Sequence, residues 1–354
     1  MLALAGCGRG ADQPELTVGV VEDSPKWARD PGSDLQAAHA AGFRSIVLSA
    51  VWEPGVPAPV LVPPLKRAVD AAVANNIEPV LAVYQLSSNT PLDPAARSEF
   101  ARFAATLARR LPQVRTVIVG NEPNLNLFWL PQFDADGGDA AATAYEALLA
   151  ETYDALKAVD ADLTVVGGGL APRGADDPSA SRQTHSPTQF ILDLGRAYRA
   201  SGRDRPLMDA FSLHPYGESP RVPPTLRHPH TTSLGIADYP KLVRLLGRAF
   251  DGTAQPGPKL PVLYAEYGVE TTIPPDKAAA YTGHEVVQPV DPPTQARYYT
   301  EAIRLARQQP TVEGIYLFHI ADETRLEGLQ SGVRYADSTA KPSLDAVRRA
   351  SLRP

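Results

Sequence analysis

The chain has 354 residues, of which 44% are hydrophobic and 21% are charged, a balance that is typical of a folded globular protein and excludes a disordered one. The formal net charge is −6 and no long run of lysine and arginine occurs, which argues against nucleic acid as a partner. The sequence also contains no apolar stretch of a length that would cross a bilayer.

Residues 1–14 read as a leader or tether in front of the folded domain. The only cysteine, Cys7, follows Leu4-Ala5-Gly6, and this stretch resembles the lipobox of bacterial lipoproteins, in which the cysteine is lipidated. The usual upstream basic and apolar segments are missing, so a disordered leader with an inert thiol is the alternative. The resemblance implies a secreted or lipid-anchored bacterial protein that works outside the cytoplasm. A single thiol excludes an internal disulfide and a cysteine-rich metal site.

From residue 15 onward, strand-like and helix-like segments alternate. Most of the strand segments are near-continuous apolar runs, as expected of parallel strands that are buried on both faces. The eight predicted strands are 16–21, 44–52, 79–84, 115–120, 163–168, 209–214, 261–267 and 314–320. The eight predicted helices are 33–41, 63–75, 93–111, 139–159, 186–202, 238–250, 292–309 and 341–350. Eight successive strand–helix units predict an α/β protein with a single (β/α)₈ barrel domain over residues 15–354.

An open, doubly wound sheet is the alternative fold. The regular count of eight units disfavours it, as does the absence of a glycine fingerprint after the first strand. Three connections are long, residues 123–138, 217–237 and 269–291, and all three follow strands. Long loops at this face of a barrel usually carry function.

The strand ends supply the candidate chemistry, because functional groups of barrel enzymes lie at the carboxyl ends of strands. The fourth strand ends in Asn121-Glu122, His214 and Tyr216 follow the sixth, and the seventh contains Glu266. Cleavage of a glycosidic bond needs such a carboxyl pair: one acid protonates the leaving oxygen, and the other carboxylate attacks or stabilises the anomeric carbon. We expect burial and a neighbouring charge to keep Glu122 protonated. We expect hydrogen bonds, one of them from Tyr216, to keep Glu266 ionised.

This constellation resembles clan A of the retaining glycoside hydrolases, the barrel group that includes families 5 and 39. The resemblance spans residues 15–350 and rests on Asn-Glu after the fourth strand, His-Pro-Tyr after the sixth and Ala-Glu-Tyr-Gly at the seventh. It implies that Glu122 is the acid/base, that Glu266 is the nucleophile and that Asn121 binds the sugar 2-hydroxyl. His214 and Tyr216 match the His-x-Tyr of many members. The implied activity is hydrolysis of a β-linked glycan or oligosaccharide by double displacement, without a cofactor or metal.

Two positions depart from the family pattern. Val47 stands about where many members have an arginine in the second strand. The eighth strand ends in Phe318-His319 instead of the tryptophan that forms a sugar platform, so Phe318 or His319 must substitute for it. Trp52 and Trp129 are further candidates for stacking on a sugar, although either could equally pin its loop. A non-catalytic carbohydrate-binding barrel and a transglycosidase are the alternative functions.

Five other polar residues have two readings each. Glu22, Asp23 and Glu53 end the first two strands, where they would either bind sugar hydroxyls or be solvated. His228 and His230 invite a metal interpretation, but no carboxylate stands at ligand spacing. We therefore read both histidines as loop residues and predict no metal site.

Overall fold

The computed structural model describes residues 15–352. Cys7 and the predicted leader, residues 1–14, lie outside the described residues. Within the described part of the chain, no helix combines the length and the apolar character that crossing a bilayer requires.

Eight parallel strands close into a barrel in chain order, with β1 paired to β8. The strands are β1 Thr17–Val21, β2 Ser45–Val51, β3 Glu78–Tyr84, β4 Thr116–Val119, β5 Thr164–Leu170, β6 Ala210–Leu213, β7 Val262–Tyr267 and β8 Val312–Phe318. The predicted (β/α)₈ barrel is therefore confirmed.

Each strand is followed by an α-helix that returns the chain to the amino-terminal end of the barrel. The helices are α1 Pro31–Ala40, α2 Val62–Ala74, α3 Pro94–Arg110, α4 Ala140–Lys157, α5 Pro187–Ser201, α6 Tyr239–Phe250, α7 Pro292–Arg307 and α8 Pro342–Ser351. Several begin with a capping side chain followed by proline, as in α3, where the Asp93 carboxylate accepts from the backbone N–H of Ala96. Such explicit start signals explain why predicted and observed element ends agree within two residues.

Two apolar layers hold the barrel together. The larger one lies between the strands and the helices and contains most of the core. The smaller one fills the barrel interior with side chains such as Val47, Val80, Ile118 and Tyr316. Because the interior is filled below the strand ends, a ligand can enter only at the carboxyl-terminal mouth.

Candidate active site

A cleft of about 1140 Å³ opens at the mouth of the barrel. Its walls come from strand ends and from the connections that follow them, and its size suits an oligosaccharide or another organic ligand. The charged residues that line it are Glu22, Asp23, Glu122, Arg173, Arg182, Glu218, Glu266, Glu270 and His319.

Glu122 is aimed at the cleft by a tight turn after β4. Gly120 has φ +87°, and a Cβ atom there would lie 2.8 Å from the Tyr145 ring, so this position needs glycine. The Tyr145 hydroxyl donates to the carbonyl of Val119 at 2.7 Å. Glu122 itself has φ +38°, and its backbone N–H donates to the carbonyl of Gly169 at 2.8 Å. A non-glycine residue in the left-handed region is strained, and such strain concentrates at functional sites.

Glu122 and Glu266 meet around one histidine. Nδ1 of His214 lies 3.2 Å from Oε1 of Glu122 and 3.5 Å from Oε2 of Glu266. These two oxygens therefore lie no further apart than the sum of the distances, about 6.7 Å. The side chain of His214 is only 3% exposed and lies beneath the carboxylates, whereas both carboxylates line the cleft. The fold thus brings together the pair that the sequence singled out.

The charges of this group are coupled. Burial alone would lower the pKa of His214, but the carboxylates of Glu266 and Glu122 outweigh it and raise that pKa. Burial and the neighbouring Glu122 raise the pKa of Glu266, against the opposing effects of His214, the Tyr216 hydroxyl and His319. The expectation that hydrogen bonds keep Glu266 ionised is therefore incomplete, because burial dominates. Ionisation of Glu266 depends on the cations beside it.

His319 provides a second positive charge at the cleft. Its Nδ1 lies 3.6 Å from Oε2 of Glu22, and its Nε2 lies 3.3 Å from Oε1 of Glu323. Burial opposes the charged imidazolium, but these two carboxylates raise the pKa of His319 to about 9. His319 also has φ +74°, so its backbone is strained as that of Glu122 is. The cleft therefore contains a protonated histidine at neutral pH.

Three predicted binding residues line the cleft. The Tyr216 hydroxyl donates to Oε2 of Glu266 at 3.2 Å. The Tyr216 ring packs edge-on against Phe318, with ring centroids 6.4 Å apart. Asn121 lines the cleft next to Glu122. These contacts give Tyr216 a defined place beside Glu266 and leave Phe318 at the wall where a sugar ring would stack.

Three other predicted binding residues do not reach the cleft. Trp52 and Trp129 are fully buried, where they pack edge-on against Phe100 of α3 and Tyr145 of α4 respectively. The expectation that either tryptophan stacks on a sugar is wrong, and the alternative, in which each pins its loop to a helix, describes the packing. His214 is also shielded from the cleft and contacts the carboxylates instead of a ligand.

The carboxylates at the first two strand ends differ in position. Glu22 lines the cleft, and its two oxygens accept from the backbone N–H groups of Ser24 and Ile320. Asp23 also lines the cleft and accepts from the backbone N–H of Ser49 at 2.8 Å. Glu53 is exposed and lies outside it. For Glu53 the solvated reading therefore applies.

Tyr84, Glu270 and Arg173 are among the cleft residues that sequence reasoning missed. Tyr84 is the last residue of β3, and the rule used for the other strand ends could have found it. Glu270 follows β7, and burial together with the charge of Glu285 raises its pKa to about 7. Arg173 follows β5, and its guanidinium donates to the carbonyl of Gly217 at 3.0 Å. Nothing in the pattern around Glu270 or Arg173 distinguishes them from ordinary loop charges.

Val47 occupies the interior wall of the cleft at β2, where the family resemblance led us to look for an arginine. The nearby positive charges come from His214 and His319, which both lower the pKa of Glu266 against the effect of its burial. Positive charge beside Glu266 thus comes from histidines that directly follow β6 and β8.

No family model and no curated protein sequence matches the chain. Solved structures match it at low identity. A GH5_18 protein from Streptomyces cattleya, solved in complex with GlcNAc, is 17% identical with a TM-score of 0.62, covering 96% of this chain and 80% of that one. A GH5-4 broad-specificity endoglucanase from Clostridium acetobutylicum is 13% identical with a TM-score of 0.59, covering 95% and 97%.

A third neighbour is much longer than this chain. Bacteroides uniformis β-glucuronidase 2, bound covalently to a cyclophellitol-6-carboxylate aziridine, is 12% identical with a TM-score of 0.59. The match covers 96% of this chain and 35% of that one, and a GH2 β-galacturonidase from Eisenbergiella tayi is likewise covered over only 51% of its length. The chain has the barrel fold of these glycoside hydrolases.

Proposed function

We propose that this protein is a retaining β-glycosidase that cleaves a β-linked glycoside by double displacement. The observation that carries the proposal is the pair Glu122 and Glu266, which reach one cleft from β4 and β7 and share Nδ1 of His214. The GH5 and GH2 neighbours, which include an endoglucanase and a β-galacturonidase, support the same class of reaction.

In the first step, the Glu266 carboxylate attacks the anomeric carbon and the bond from that carbon to the leaving oxygen breaks. Glu122 gives its proton to the departing oxygen, and a covalent glycosyl–enzyme forms. In the second step, Glu122 removes a proton from water, and the resulting nucleophile displaces Glu266 from the sugar. Carboxyl groups about 5–5.5 Å apart favour this route, whereas inversion uses about 6.5–9.5 Å. The upper bound of about 6.7 Å between the two oxygens accommodates the retaining separation and excludes most of the inverting range.

The first test is a hydrolysis screen on aryl β-glycosides and β-glycan polymers with wild type, Glu266→Ala and Glu53→Ala. Glu53 is the matched control, because it is also a strand-end glutamate but lies outside the cleft. We expect Glu266→Ala to lose activity, Glu53→Ala to keep it, and added azide to restore turnover of Glu266→Ala with an α-glycosyl azide as product.

Two other outcomes would favour a function other than glycoside hydrolysis. Glycan binding without turnover of any substrate would indicate the non-catalytic barrel. Products in which a sugar acceptor outcompetes water would indicate a transglycosidase that uses the same two carboxylates.

A further inference from the structure

The exposed apolar side chains of this protein are concentrated at the barrel mouth. Among the described residues, eleven large hydrophobic side chains are exposed, and nine of them lie on connections that follow strands. The two exceptions, Val73 near the end of α2 and Leu352 after α8, lie at the opposite end of the barrel. Single exposed hydrophobics are ordinary, but a set gathered on the face that contains the active site indicates a binding surface.

Four of these side chains lie on two neighbouring connections and define what we call the leucine patch: Leu86, Leu92, Leu127 and Leu130, each between 41% and 59% exposed. Two hydrogen bonds tie the β3–α3 connection to the β4–α4 connection at this place. The backbone N–H of Ser87 donates to the carbonyl of Leu127 at 3.2 Å, and the backbone N–H of Leu130 donates to the Thr90 hydroxyl at 3.1 Å. The patch is therefore part of the ordered mouth.

The leucine patch continues into the active-site cleft. Leu127 belongs to the patch and also lines the cleft, together with the neighbouring Phe128. The Phe128 ring packs edge-on against Tyr84, a further cleft residue, with ring centroids 6.2 Å apart. Leu127 thus links the aromatic rings of the cleft wall to the exposed leucines of the two connections.

Leu127 lies near the proposed acid/base in the chain and lines the same cleft. Leu127 and Phe128 follow Glu122 in the same connection. In the proposed mechanism Glu122 protonates the departing oxygen, so the group attached to that oxygen lies on the Glu122 side. Beyond Leu127, the exposed side chains of Leu86, Leu92 and Leu130 offer a sugar no hydrogen-bond partner, and the buried Trp52 and Trp129 offer it no stacking surface.

We propose that the leucine patch binds an apolar aglycone, so that the substrate is a β-glycoside of a hydrophobic alcohol such as an alkyl or glycolipid chain. The inference rests on the proposed function and specifies its substrate class. The reaction balances as ordinary hydrolysis: water is consumed, the glycosidic C–O bond breaks, and the hydrophobic alcohol leaves with the proton from Glu122.

The test uses n-alkyl β-glycosides of the sugar that the aryl screen identifies, from methyl to octyl, each below its critical micelle concentration. Leaving-group basicity is almost constant along this series, so kcat/KM reports burial of the chain. Complete burial of a methylene corresponds to about a fourfold gain, and a partly open patch to about twofold. We expect kcat/KM to rise by about 10²-fold from methyl to octyl.

A double variant tests where the chain binds. Leu86→Asn/Leu127→Asn is expected to lose most of the dependence on chain length, whereas Leu352→Asn, an exposed leucine at the opposite end of the barrel, is expected to keep it. A flat chain-length series in wild type would overturn the proposal, and so would an undiminished series in the double variant. If the double variant loses binding to phosphatidylglycerol vesicles while the wild-type series is flat, the patch is a membrane surface and the proposal is wrong.

A binding measurement separates this inference from the proposed function. Calorimetry of methyl and octyl β-D-glucoside with Glu266→Gln measures affinity without hydrolysis. Tighter binding of the octyl compound that depends on Leu86 and Leu127, in a protein that hydrolyses no glycoside, would retain the apolar subsite and refute the glycosidase. Hydrolysis of aryl glycosides together with equal binding of the two alkyl compounds would retain the glycosidase and refute the apolar subsite.

Discussion

Nδ1 of His214 lies 3.2 Å from Oε1 of Glu122, although the two residues are 92 positions apart in the chain. The same nitrogen lies 3.5 Å from Oε2 of Glu266, so one buried imidazole contacts both members of the carboxyl pair. Because the two carboxylates raise the pKa of His214 and His214 lowers that of Glu266 against the effect of burial, the titrations of His214 and Glu266 are linked.

Replacement of His214 by glutamine removes the titratable imidazole while keeping a polar side chain. Without His214 the pKa of Glu266 rises further, so a higher pH is needed to ionise the proposed nucleophile. We expect the acid limb of the kcat/KM profile of an aryl β-glycoside to move to higher pH, and kcat/KM to fall by about 10²-fold because the carboxylates lose their positioning contact.

The control for this change is His228→Gln. His228 also pairs with a carboxylate, since its Nδ1 lies 2.7 Å from Oδ2 of Asp238, but it does not line the cleft. Its profile is expected to match that of wild type. An acid limb that stays in place in His214→Gln would contradict the coupling.

The Glu122→Ala variant tests the acid/base role. General acid–base catalysis contributes about 10²–10⁴-fold, so hydrolysis of alkyl β-glycosides is expected to fall by that factor. A 2,4-dinitrophenyl leaving group needs no proton, so the first step with such a glycoside is expected to remain fast. Azide is expected to speed its turnover and to yield a β-glycosyl azide. An α-glycosyl azide from Glu122→Ala would exchange the roles assigned to Glu122 and Glu266.

The Tyr216→Phe variant removes one hydroxyl and keeps the ring that packs on Phe318. The lost hydrogen bond raises the pKa of Glu266, so the acid limb is expected to move in the same direction as in His214→Gln. A hydrogen bond to a charged group is worth about 1.5–3 kcal/mol, so kcat/KM is expected to fall by about 10- to 100-fold. Tyr198→Phe is the matched control, because its hydroxyl donates to the carbonyl of Arg205 away from the cleft. Equal losses in both variants would mean that the hydroxyl of Tyr216 acts only on folding.

The barrel and its carboxyl pair were predictable from sequence because each depends on local signals. Apolar runs mark the buried strands, and capping residues followed by proline mark the helix starts. Functional groups of barrel enzymes lie at the carboxyl ends of the strands, and this rule places Glu122 and Glu266 at the same mouth. The buried tryptophans were not predictable in the same way. Trp52 and Trp129 occupy loops, and the sequence does not say whether a loop aromatic turns inward to a helix or outward to a ligand.

The pairing of His319 with Glu22 depends on barrel closure. Val21 and Phe318 are register partners in the β1–β8 pair, so the residues that follow them, Glu22 and His319, stand side by side. Chain order predicts that the first and last strands are neighbours, but it does not set their register. The charged pair of His319 and Glu22 therefore becomes apparent only in the folded barrel.

Asp139 gives a prediction about stability, independent of any substrate. Its carboxylate caps α4 by accepting from the backbone N–H of Ala142 at 2.7 Å, while its other oxygen has no hydrogen-bond partner among the described residues. Burial raises the pKa of Asp139 to about 7. The folded state thus holds a proton that the unfolded state releases near the ordinary aspartate pKa. The contribution of this group to stability is full below the unfolded pKa and is lost as the pH rises towards 7.

Asp139→Asn removes this titration and keeps a capping oxygen, since asparagine is a good N-cap. A pKa raised by about three units corresponds to about 4 kcal/mol. The difference in free energy of unfolding between Asp139→Asn and wild type is therefore expected to change in favour of the variant by up to that amount from pH 4 to pH 8. Urea unfolding at both pH values measures the difference. Asp93→Asn, the same change at the exposed cap of α3, is the control. A gain of stability in Asp139→Asn that is equal at pH 4 and pH 8 would contradict the raised pKa.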